Sequence, residues 1–386
     1  MEKIHINLGK DSYDIVIDSG LIRHAGDAVS SLTGAHDAAI ITEDGIDRLY
    51  GMDLVKSLES AGIRTQMIVV PSSEKSRSLS IVNRVYGALV DFGLPSDGVL
   101  IALGGRVVGD ITGFVAATYH RGIAYIQFPT SVLSQIGSAI GGKITLDITA
   151  GKNLVGAFYQ PRAVYIDPGM AKTLPRKYLH NGMGEAVKLG CVCDKELFEL
   201  FEKANSDMDL LRVLPEIIRR CVAIKAHYVE IDPTGKKERR LLDFGHTIGG
   251  AIERCCRYDD KTITHGEATA IGMYLVTKRA ELLGLTARGA TSRLEYVLKS
   301  LALPTETHIA PEILAADMAK SKHVKEGKLQ LALMKEIGQG FLKEVTVEEL
   351  AKKFKFAVTY CEKLANKEGT TIKDESIEYI DEVKAK

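Results

Sequence analysis

Two histidines, His246 and His265, stand nineteen residues apart, and each one opens an apolar pattern with helical spacing. A histidine in the first turn of a helix sits on rigid backbone and can present a ring nitrogen to a metal ion. Two histidine ligands within one helix need a spacing of four residues, so this pair must come from two helices. A third ligand must then come from elsewhere. The stretch between Arg239 and Glu267 is therefore predicted to hold the chemistry.

The segment GMGEAVK supplies a carboxylate for this purpose. Glu185 and Lys188 lie one turn apart on a predicted helix, and a salt bridge between them is one interpretation. The other interpretation makes Glu185 the third metal ligand. Two histidines and one glutamate leave open coordination positions for substrate oxygens, as in catalytic zinc sites.

A glycine-rich turn, GGRVVGD at residues 104–110, follows a predicted strand and precedes a predicted helix. Glycines in this position let the backbone approach a pyrophosphate, and the helix N-terminus supplies amide donors. The spacing differs from the G-x-G-x-x-G fingerprint, so a tight turn without a ligand is the alternative. Lys143 and Lys152 follow in glycine-punctuated loops, where they are either anion-binding groups or ordinary surface lysines.

The elements that must hold these residues change in character near residue 175. Before it, a helical pattern at 78–92 and others like it alternate with strand candidates at 38–42, 65–70, 98–103, 124–129 and 163–167. After it, helical periodicity dominates, at 194–204, 214–231, 266–283 and 290–300. We therefore predict an α/β domain with a parallel sheet over residues 1–174, an all-helical domain over 175–345, and a helical and charged extension over 346–386.

The bulk composition disfavours several classes of function. Lys plus Arg and Asp plus Glu both number 50, so no net charge attracts nucleic acid or an anionic membrane. No apolar run reaches the roughly 18 residues that a bilayer span needs, and the first residues lack the pattern of a secretory signal. We expect a cytoplasmic protein with a small-molecule substrate and no nucleic-acid or membrane partner. The six cysteines lack metal-ligand spacing and are expected to be reduced thiols.

The motifs stand in an order that resembles 3-dehydroquinate synthase and the related sugar-phosphate cyclases. Between about residues 44 and 340 the chain reads, in order, GGRVVGD, RGIAYIQFPTSVLSQ, GGK, GKNLVGAFYQP, TLP, GMGEAVK, IKA, GHT and HGEA. The resemblance implies an N-terminal NAD-binding α/β domain and a C-terminal helical domain that binds a divalent metal, usually zinc, with cobalt as the alternative. It also implies a homodimer whose active site lies in the cleft between the domains.

The same resemblance implies roles for individual residues. The metal ligands would be Glu185, His246 and His265. NAD would be bound by Glu74, Gly104, Gly105, Asp110, Thr130 and Ser131, together with Lys143 and Lys152. The phosphorylated sugar would be surrounded by Lys143, Lys152, Asn153, Lys188, Lys225, Arg239, Asp243 and Lys322, with Arg121 reaching the phosphate in the neighbouring subunit. An anionic sugar phosphate needs charge-assisted donors of this kind.

The implied reaction is a carbon-oxygen lyase cyclisation, as in the shikimate pathway. NAD takes a hydride from a sugar alcohol, phosphate leaves by β-elimination, NADH returns the hydride, and the opened enol closes in an aldol step. Cofactor is regenerated in every turnover. Three alternatives stay open: a cyclase for another sugar phosphate such as sedoheptulose 7-phosphate, a metal-dependent polyol or glycerol dehydrogenase, and a non-catalytic relative. The lysines of the GGK and GKN motifs disfavour the dehydrogenase, because an uncharged polyol does not need them.

The chain departs from the family pattern at several positions. Arg106 replaces the third glycine of a GGG run, Gly137 replaces an aspartate, and Arg77 replaces the lysine of an ExxK motif. Asp243 replaces an asparagine near the substrate and Gly250 replaces a histidine, while a DKK motif reads SKH at 321–323. A carboxylate at position 243 would face the carboxylate of the usual seven-carbon substrate, 3-deoxy-arabino-heptulosonate 7-phosphate. The reaction type is thus predicted more firmly than the substrate.

Overall fold

The computed structural model describes residues 1–149, 151–256, 262–319, 324–346 and 348–349. The predicted site residue Lys322 and nearly all of the predicted extension at 346–386 lie outside the described residues. The chain divides into two compact units, the first formed by residues 1–187 and 203–239 and the second by residues 188–202 and those from 240 onward. The boundary near residue 187 falls within one continuous helix, Arg176–Val192.

The first unit contains a mixed set of strands and helices. Its strands are β1 (Glu2–Ile6), β2 (Tyr13–Ile17), β3 (Asp37–Glu43), β4 (Arg64–Val70), β5 (Val99–Gly104), β6 (Ala124–Pro129), β7 (Lys143–Ile148), β8 (Gly151–Phe158) and β9 (Ala163–Ile166). Its helices are α1 (Ala25–Thr33), α2 (Met52–Ser60), α3 (Leu79–Phe92), α4 (Arg106–Thr118), most of α5 (Arg176–Val192), and α7 (Asp207–Ile231). The five strand candidates are all strands, which confirms the predicted α/β domain.

Seven of these strands form one sheet in the order β1-β2-β9-β6-β5-β3-β4. All neighbours pair in parallel except the β1–β2 hairpin at one edge, which the sequence reasoning missed. Successive residues of β5 face opposite cores: Leu100 and Ala102 pack with α3 and α4, whereas Ile101 and Leu103 pack with α1 and α2. A strand buried on both faces reads as a continuous apolar run, which explains the sequence of β5.

The second unit is helical, as predicted, with one exception. Its elements are the end of α5, α6 (Lys195–Lys203), α8 (His246–Cys255), α9 (His265–Leu282), α10 (Ala290–Ser300), α11 (Pro311–Ala319), β10 (Lys328–Glu336) and β11 (Gln339–Thr346). The antiparallel β10–β11 hairpin corrects the prediction of an all-helical domain. Leu329, Leu331 and Leu333 alternate along β10 and are buried, which is the period of a strand. Among the described residues, no helix has the length and apolar character required to span a membrane.

Candidate metal and cofactor site

Each of the two histidines begins a helix, as predicted. His246 is the first residue of α8 and His265 the first residue of α9. The two helices approach closely through glycine, because a Cβ at Gly272 would lie 2.1 Å from the Gly245 carbonyl oxygen. The N-terminus of α9 is fixed by a capping box, in which the Glu267 amide donates to the Thr264 hydroxyl and the Thr264 amide donates to the Glu267 carboxylate. The two imidazole rings are thereby held 5.1 Å apart between centroids.

The predicted third ligand stands with them. Glu185 lies on α5 and is only 8% exposed. One ligand atom from each of Glu185, His246 and His265 lies within 4.8 Å of the others. A carboxylate and two imidazoles are a donor set that suits a divalent metal such as zinc and leaves coordination positions open. The geometry therefore fits the metal that the sequence predicts.

Three further side chains surround the histidine rings. Lys188, one turn after Glu185 on α5, places its ammonium 3.1 Å from His246 Nε2. Asp243 Oδ1 lies 3.7 Å from Nδ1 of the same ring. The Glu253 carboxylate oxygens lie 3.2 and 3.1 Å from His265 Nδ1. Sequence reasoning missed Glu253, although its position seven residues after His246 on one helix, and so on the same face, was a usable signal.

The glycine-rich turn joins β5 to α4. A Cβ at Gly104 would lie 2.6 Å from Val108 Cγ2, so only glycine fits there without displacing the first turn of the helix. Gly105 is the N-cap of α4 and provides no side chain to cap it. Such an N-terminus presents amide donors and a positive dipole end to an anion, which suits a pyrophosphate. Thr130, which follows β6, donates its amide to the Gly104 carbonyl and is buried.

Two residues near this turn lie close to the Gly105 backbone. A Cβ at Gly105 would stand 3.5 Å from Glu43 Oε1 and 3.7 Å from the Ser131 hydroxyl. The Gly105 amide donates to Glu43 Oε1 at 3.3 Å, and the Ser72 hydroxyl donates to the other oxygen. Ser131 was predicted and Glu43 was not. Glu43 ends β3, next to β5 in the sheet, and a polar residue at the carboxyl end of a neighbouring parallel strand is the signal that could have found it.

A buried arginine joins the glycine-rich turn and α4 to the β7–β8 hairpin. The Arg77 side chain is fully buried, and its Nη1 donates to Asp110 Oδ2 at 3.1 Å. Its Nη2 donates to Asp147 Oδ1 at 2.7 Å and to Asn153 Oδ1 at 2.6 Å. Lysine at position 77 would offer one point charge in place of this planar fork. The departure at Arg77 thus creates contacts that the family's lysine could not make with the same geometry.

Other charges complete this cluster. Arg106, the second departure, turns its guanidinium to Glu74, with 2.8 Å between Nη2 and Oε2. Lys152 Nζ lies 3.6 Å from Asp147 Oδ2. The cluster thus contains three carboxylates, Glu74, Asp110 and Asp147, and three cations, Arg77, Arg106 and Lys152. Arg106 therefore pairs with a residue that was itself predicted to bind NAD.

The surroundings shift the protonation of two of these acids in opposite directions. Burial raises the pKa of Asp110 from 3.8 to about 6, although Arg77 and Arg106 oppose the shift. Burial would also raise the pKa of Glu74, but Arg106 and then Arg77 outweigh it, and the pKa is lowered. Glu74 is thus held as a carboxylate, whereas Asp110 can take up a proton as the pH falls through about 6.

Three of the predicted substrate residues stand on strands, which corrects the assignment of their motifs to loops. Lys143 begins β7, while Lys152 and Asn153 lie at the start of the antiparallel partner β8. A Cβ at Gly235 would fall 2.0 Å from Lys143 Nζ and 3.7 Å from Arg239 Cδ. The two cations therefore border one segment, and Arg239 is fixed there by donating from Nη1 to the Pro233 carbonyl.

The remaining predicted residues differ in their settings. Lys225 lies half-buried on α7. Arg121 is exposed, and both it and His120 have positive φ angles, of 68° and 50°. Consecutive non-glycine residues in this region are strained. Gly137, where the family has an aspartate, has no atom within 4 Å of the position a Cβ would take.

Comparison with known proteins gives a consistent assignment. The model of the 3-dehydroquinate synthase N-terminal domain matches residues 67–181, and the model of the C-terminal domain matches residues 182–324. A 3-dehydroquinate synthase of Clostridium acetobutylicum is 40% identical over 91% of this chain and 99% of its own length.

Two solved structures share the fold. The 2-epi-5-epi-valiolone synthase of Streptomyces hygroscopicus, solved with NAD+ and Zn2+, is 26% identical with a TM-score of 0.82, covering 91% of this chain and 97% of that one. A 2-deoxy-scyllo-inosose synthase complexed with carbaglucose-6-phosphate, NAD+ and Co2+ also has a TM-score of 0.82, at 22% identity, covering 92% of this chain and 100% of that one. On the matched domain models and the identity over most of its length, the chain belongs to the 3-dehydroquinate synthase family.

Proposed function

We propose that the protein catalyses an NAD- and metal-dependent cyclisation of a phosphorylated ketose with elimination of phosphate, as 3-dehydroquinate synthase does. The observation that most strongly supports it is the convergence of Glu185, His246 and His265 within 4.8 Å. Membership of the family and the 40% identity to a 3-dehydroquinate synthase support the reaction type. When bound, NAD would accept and return a hydride, and a divalent metal, zinc or cobalt, would polarise the sugar oxygens.

The residues of the first unit would bind and orient the cofactor. Gly104 and Gly105 would let the backbone approach the pyrophosphate at the N-terminus of α4. Asp110 and Glu74 would accept hydrogen bonds from ribose hydroxyls, while Thr130 and Ser131 border the same turn. Arg77 ties Asp110 to the hairpin that holds Lys152 and Asn153. The residues that meet cofactor and those that meet sugar would thus be held by one network.

The substrate would be an anionic sugar phosphate. Its phosphate and other oxygens would be bound by cations of the described residues, namely Lys143, Lys152, Lys188, Lys225 and Arg239. Lys188 stands 3.1 Å from His246 Nε2, which would place its ammonium beside sugar oxygens at the metal. Each charge-assisted hydrogen bond of this kind contributes about 1.5–3 kcal/mol. An uncharged polyol would use none of them, so a polyol dehydrogenase is the weaker interpretation.

The identity of the sugar rests on fewer residues. The clostridial relative favours 3-deoxy-arabino-heptulosonate 7-phosphate and a place in the shikimate pathway. Asp243 favours a sugar without a carboxylate, such as sedoheptulose 7-phosphate. Its side chain is half exposed beside His246, and like charges about 4 Å apart repel by roughly 4 kcal/mol at an effective dielectric of 20. The retained Lys225 and Arg239 could offset that charge, so we place the carboxylated substrate first.

The quaternary structure and cellular location are also proposals. An exposed Arg121 on strained backbone fits the role of an arginine that reaches the phosphate in a neighbouring subunit of a homodimer. A small phosphorylated substrate fits a cytoplasmic enzyme without nucleic-acid or membrane partners.

The proposal is tested by incubating the purified protein with NAD, Zn2+ or Co2+, and a panel of seven-carbon ketose phosphates. Inorganic phosphate should appear with at least one sugar, and chelation of the metal should stop its release. No phosphate from any sugar, together with net NADH formed from glycerol, would instead establish a polyol dehydrogenase.

A further inference from the structure

The carboxylate of Glu253 contacts one of the two histidine ligands. Both of its oxygens lie within hydrogen-bonding distance of His265 Nδ1, at 3.2 and 3.1 Å. The Glu253 side chain is 18% exposed and the His265 side chain 27% exposed, so water competes only partly for the contact. The pair joins α8 to α9 within the second unit.

The backbone on both sides of this contact has little freedom. A Cβ at Gly249 would lie 2.8 Å from the Ala268 carbonyl oxygen, so α8 and α9 pack backbone to backbone one turn before Glu253. The capping box at Thr264 and Glu267 fixes the turn of α9 on which His265 stands. The carboxylate therefore meets the ring because the two helices are held at that distance.

Contact at Nδ1 determines which nitrogen can bind a metal. An ionised carboxylate can accept a hydrogen bond but cannot donate one, so the neutral imidazole beside it carries its hydrogen on Nδ1. Nε2 then carries the lone pair that a metal ion needs. Metal-binding histidines commonly have such a carboxylate partner, which fixes the tautomer and the plane of the ring.

The Glu253 carboxylate comes from the helix that the other histidine, His246, begins. Asp243 Oδ1 is 3.7 Å from His246 Nδ1, which is too long for a hydrogen bond.

We propose that Glu253 is a positioning residue that holds His265 as the Nδ1–H tautomer and so directs Nε2 to the divalent metal. The alternative is an ordinary ion pair that only stabilises the packing of α8 on α9. The inference rests on the metal site of the proposed function. Metal affinity measured without any sugar tests the role of Glu253 separately from the proposed reaction. A protein in which Glu253 supports metal binding but which releases no phosphate would disprove the proposed reaction alone.

The test compares Glu253→Ala, which removes the acceptor, with Glu253→Gln, which keeps an oxygen acceptor and removes the charge. Glu267→Gln is the matched control, since it removes a carboxylate charge two residues from His265 while its amide oxygen can still close the capping box. Co2+ affinity is measured on metal-free protein by chelator competition, and the visible spectrum of bound Co2+ reports ligand geometry. Thermal unfolding of the metal-free variants shows which of them fold.

Glu253→Ala should weaken Co2+ binding by roughly 10- to 100-fold and change the spectrum. Glu253→Gln should lose less Co2+ affinity than Glu253→Ala, and Glu267→Gln should match the wild type in affinity and spectrum. In the metal-free wild type, ¹⁵N NMR should show His265 protonated on Nδ1, with a shift towards the Nε2–H form in Glu253→Ala. If Glu253→Ala does not fold, the Glu253→Gln result and the wild-type tautomer decide. Wild-type affinity and spectrum in the folded Glu253 variants, a loss equal to that of Glu267→Gln, or an Nε2–H tautomer in the wild type would overturn the proposal.

Discussion

Replacement of Arg77 by methionine tests whether the buried charge cluster holds the glycine-rich turn and α4 to the β7–β8 hairpin. Methionine is unbranched and roughly fills the space of the arginine stem. The change therefore removes the charge and the hydrogen-bond donors and leaves only a small cavity. Asp110, Asp147 and Asn153 would each lose a hydrogen bond of 2.6–3.1 Å from a fully buried guanidinium.

Breaking a buried ion pair by removing one partner costs about 3–5 kcal/mol, because the other charge stays buried. Two groups limit the loss. Lys152 Nζ, 3.6 Å from Asp147, can partly replace the lost cation, and Asp110 can take up a proton because burial raises its pKa to about 6. We therefore expect the lower half of that range, about 3–4 kcal/mol. For a unit of this size that corresponds to a fall in Tm of about 6–16 °C.

Thermal and urea unfolding followed by circular dichroism measure the loss. Arg64→Met is the control, because Arg64 lies in the same unit and pairs with Asp37 on the surface, where such a pair contributes about 0–1 kcal/mol. Arg77→Lys should fall between the wild type and Arg77→Met, since one ammonium replaces a planar fork. A change of about 1 kcal/mol shifts the Tm of a unit of this size by about 2 °C or more. A Tm of Arg77→Met within about 2 °C of the wild type, or equal losses of stability in Arg77→Met and Arg64→Met, would show that the buried cluster does not stabilise the fold.

Three further predictions address the site itself. His246→Ala should lose bound metal after dialysis, as measured by elemental analysis, and unchanged metal content would remove this residue from the ligand set. Asp243→Asn should raise kcat/KM with 3-deoxy-arabino-heptulosonate 7-phosphate, because it removes a repulsion between two carboxylates of roughly 4 kcal/mol at 4 Å and an effective dielectric of 20. A fall in kcat/KM would show that Asp243 has a role of its own beside His246. NAD affinity should weaken as the pH falls through about 6, because the raised pKa of Asp110 lets the acceptor carboxylate take up a proton there. The loss should be about tenfold at pH 5, and Asp110→Asn should abolish this pH dependence in a fluorescence titration.

The sequence predicted those elements whose periodicity reflects burial. The apolar runs of β3, β5 and β6 are buried on both faces and were placed within about two residues. α7 was predicted to begin at 214 but begins at Asp207, where the Ser206 side chain caps it by accepting from the Asp209 amide, and Pro215 lies inside the helix. The β7–β8 and β10–β11 hairpins were missed. In β8, glycine and polar residues replace the apolar alternation that marks a strand, so only pairing with β7 identifies it.

Site residues could be predicted where the residue type and its place on a helix by themselves indicate a function. Two histidines at helix starts and a glutamate on α5 suit a metal, and the fold brings all three together. Arg77, Asp147, Glu43 and Glu253 act by contacts between residues far apart in sequence. The i+7 spacing places Glu253 on the same face of α8 as His246, but its distance to His265 depends on how closely α8 and α9 pack at their glycines.

In the proposed cyclisation with phosphate elimination, NAD is regenerated in every turnover. The most direct measurement compares phosphate released with NADH accumulated when a seven-carbon ketose phosphate is given in large excess over NAD. We expect the phosphate released to exceed the added NAD many-fold, no net NADH to form, and His246→Ala to release no phosphate. Phosphate production that stops at the amount of NAD added, or NADH that rises in step with product, would contradict it.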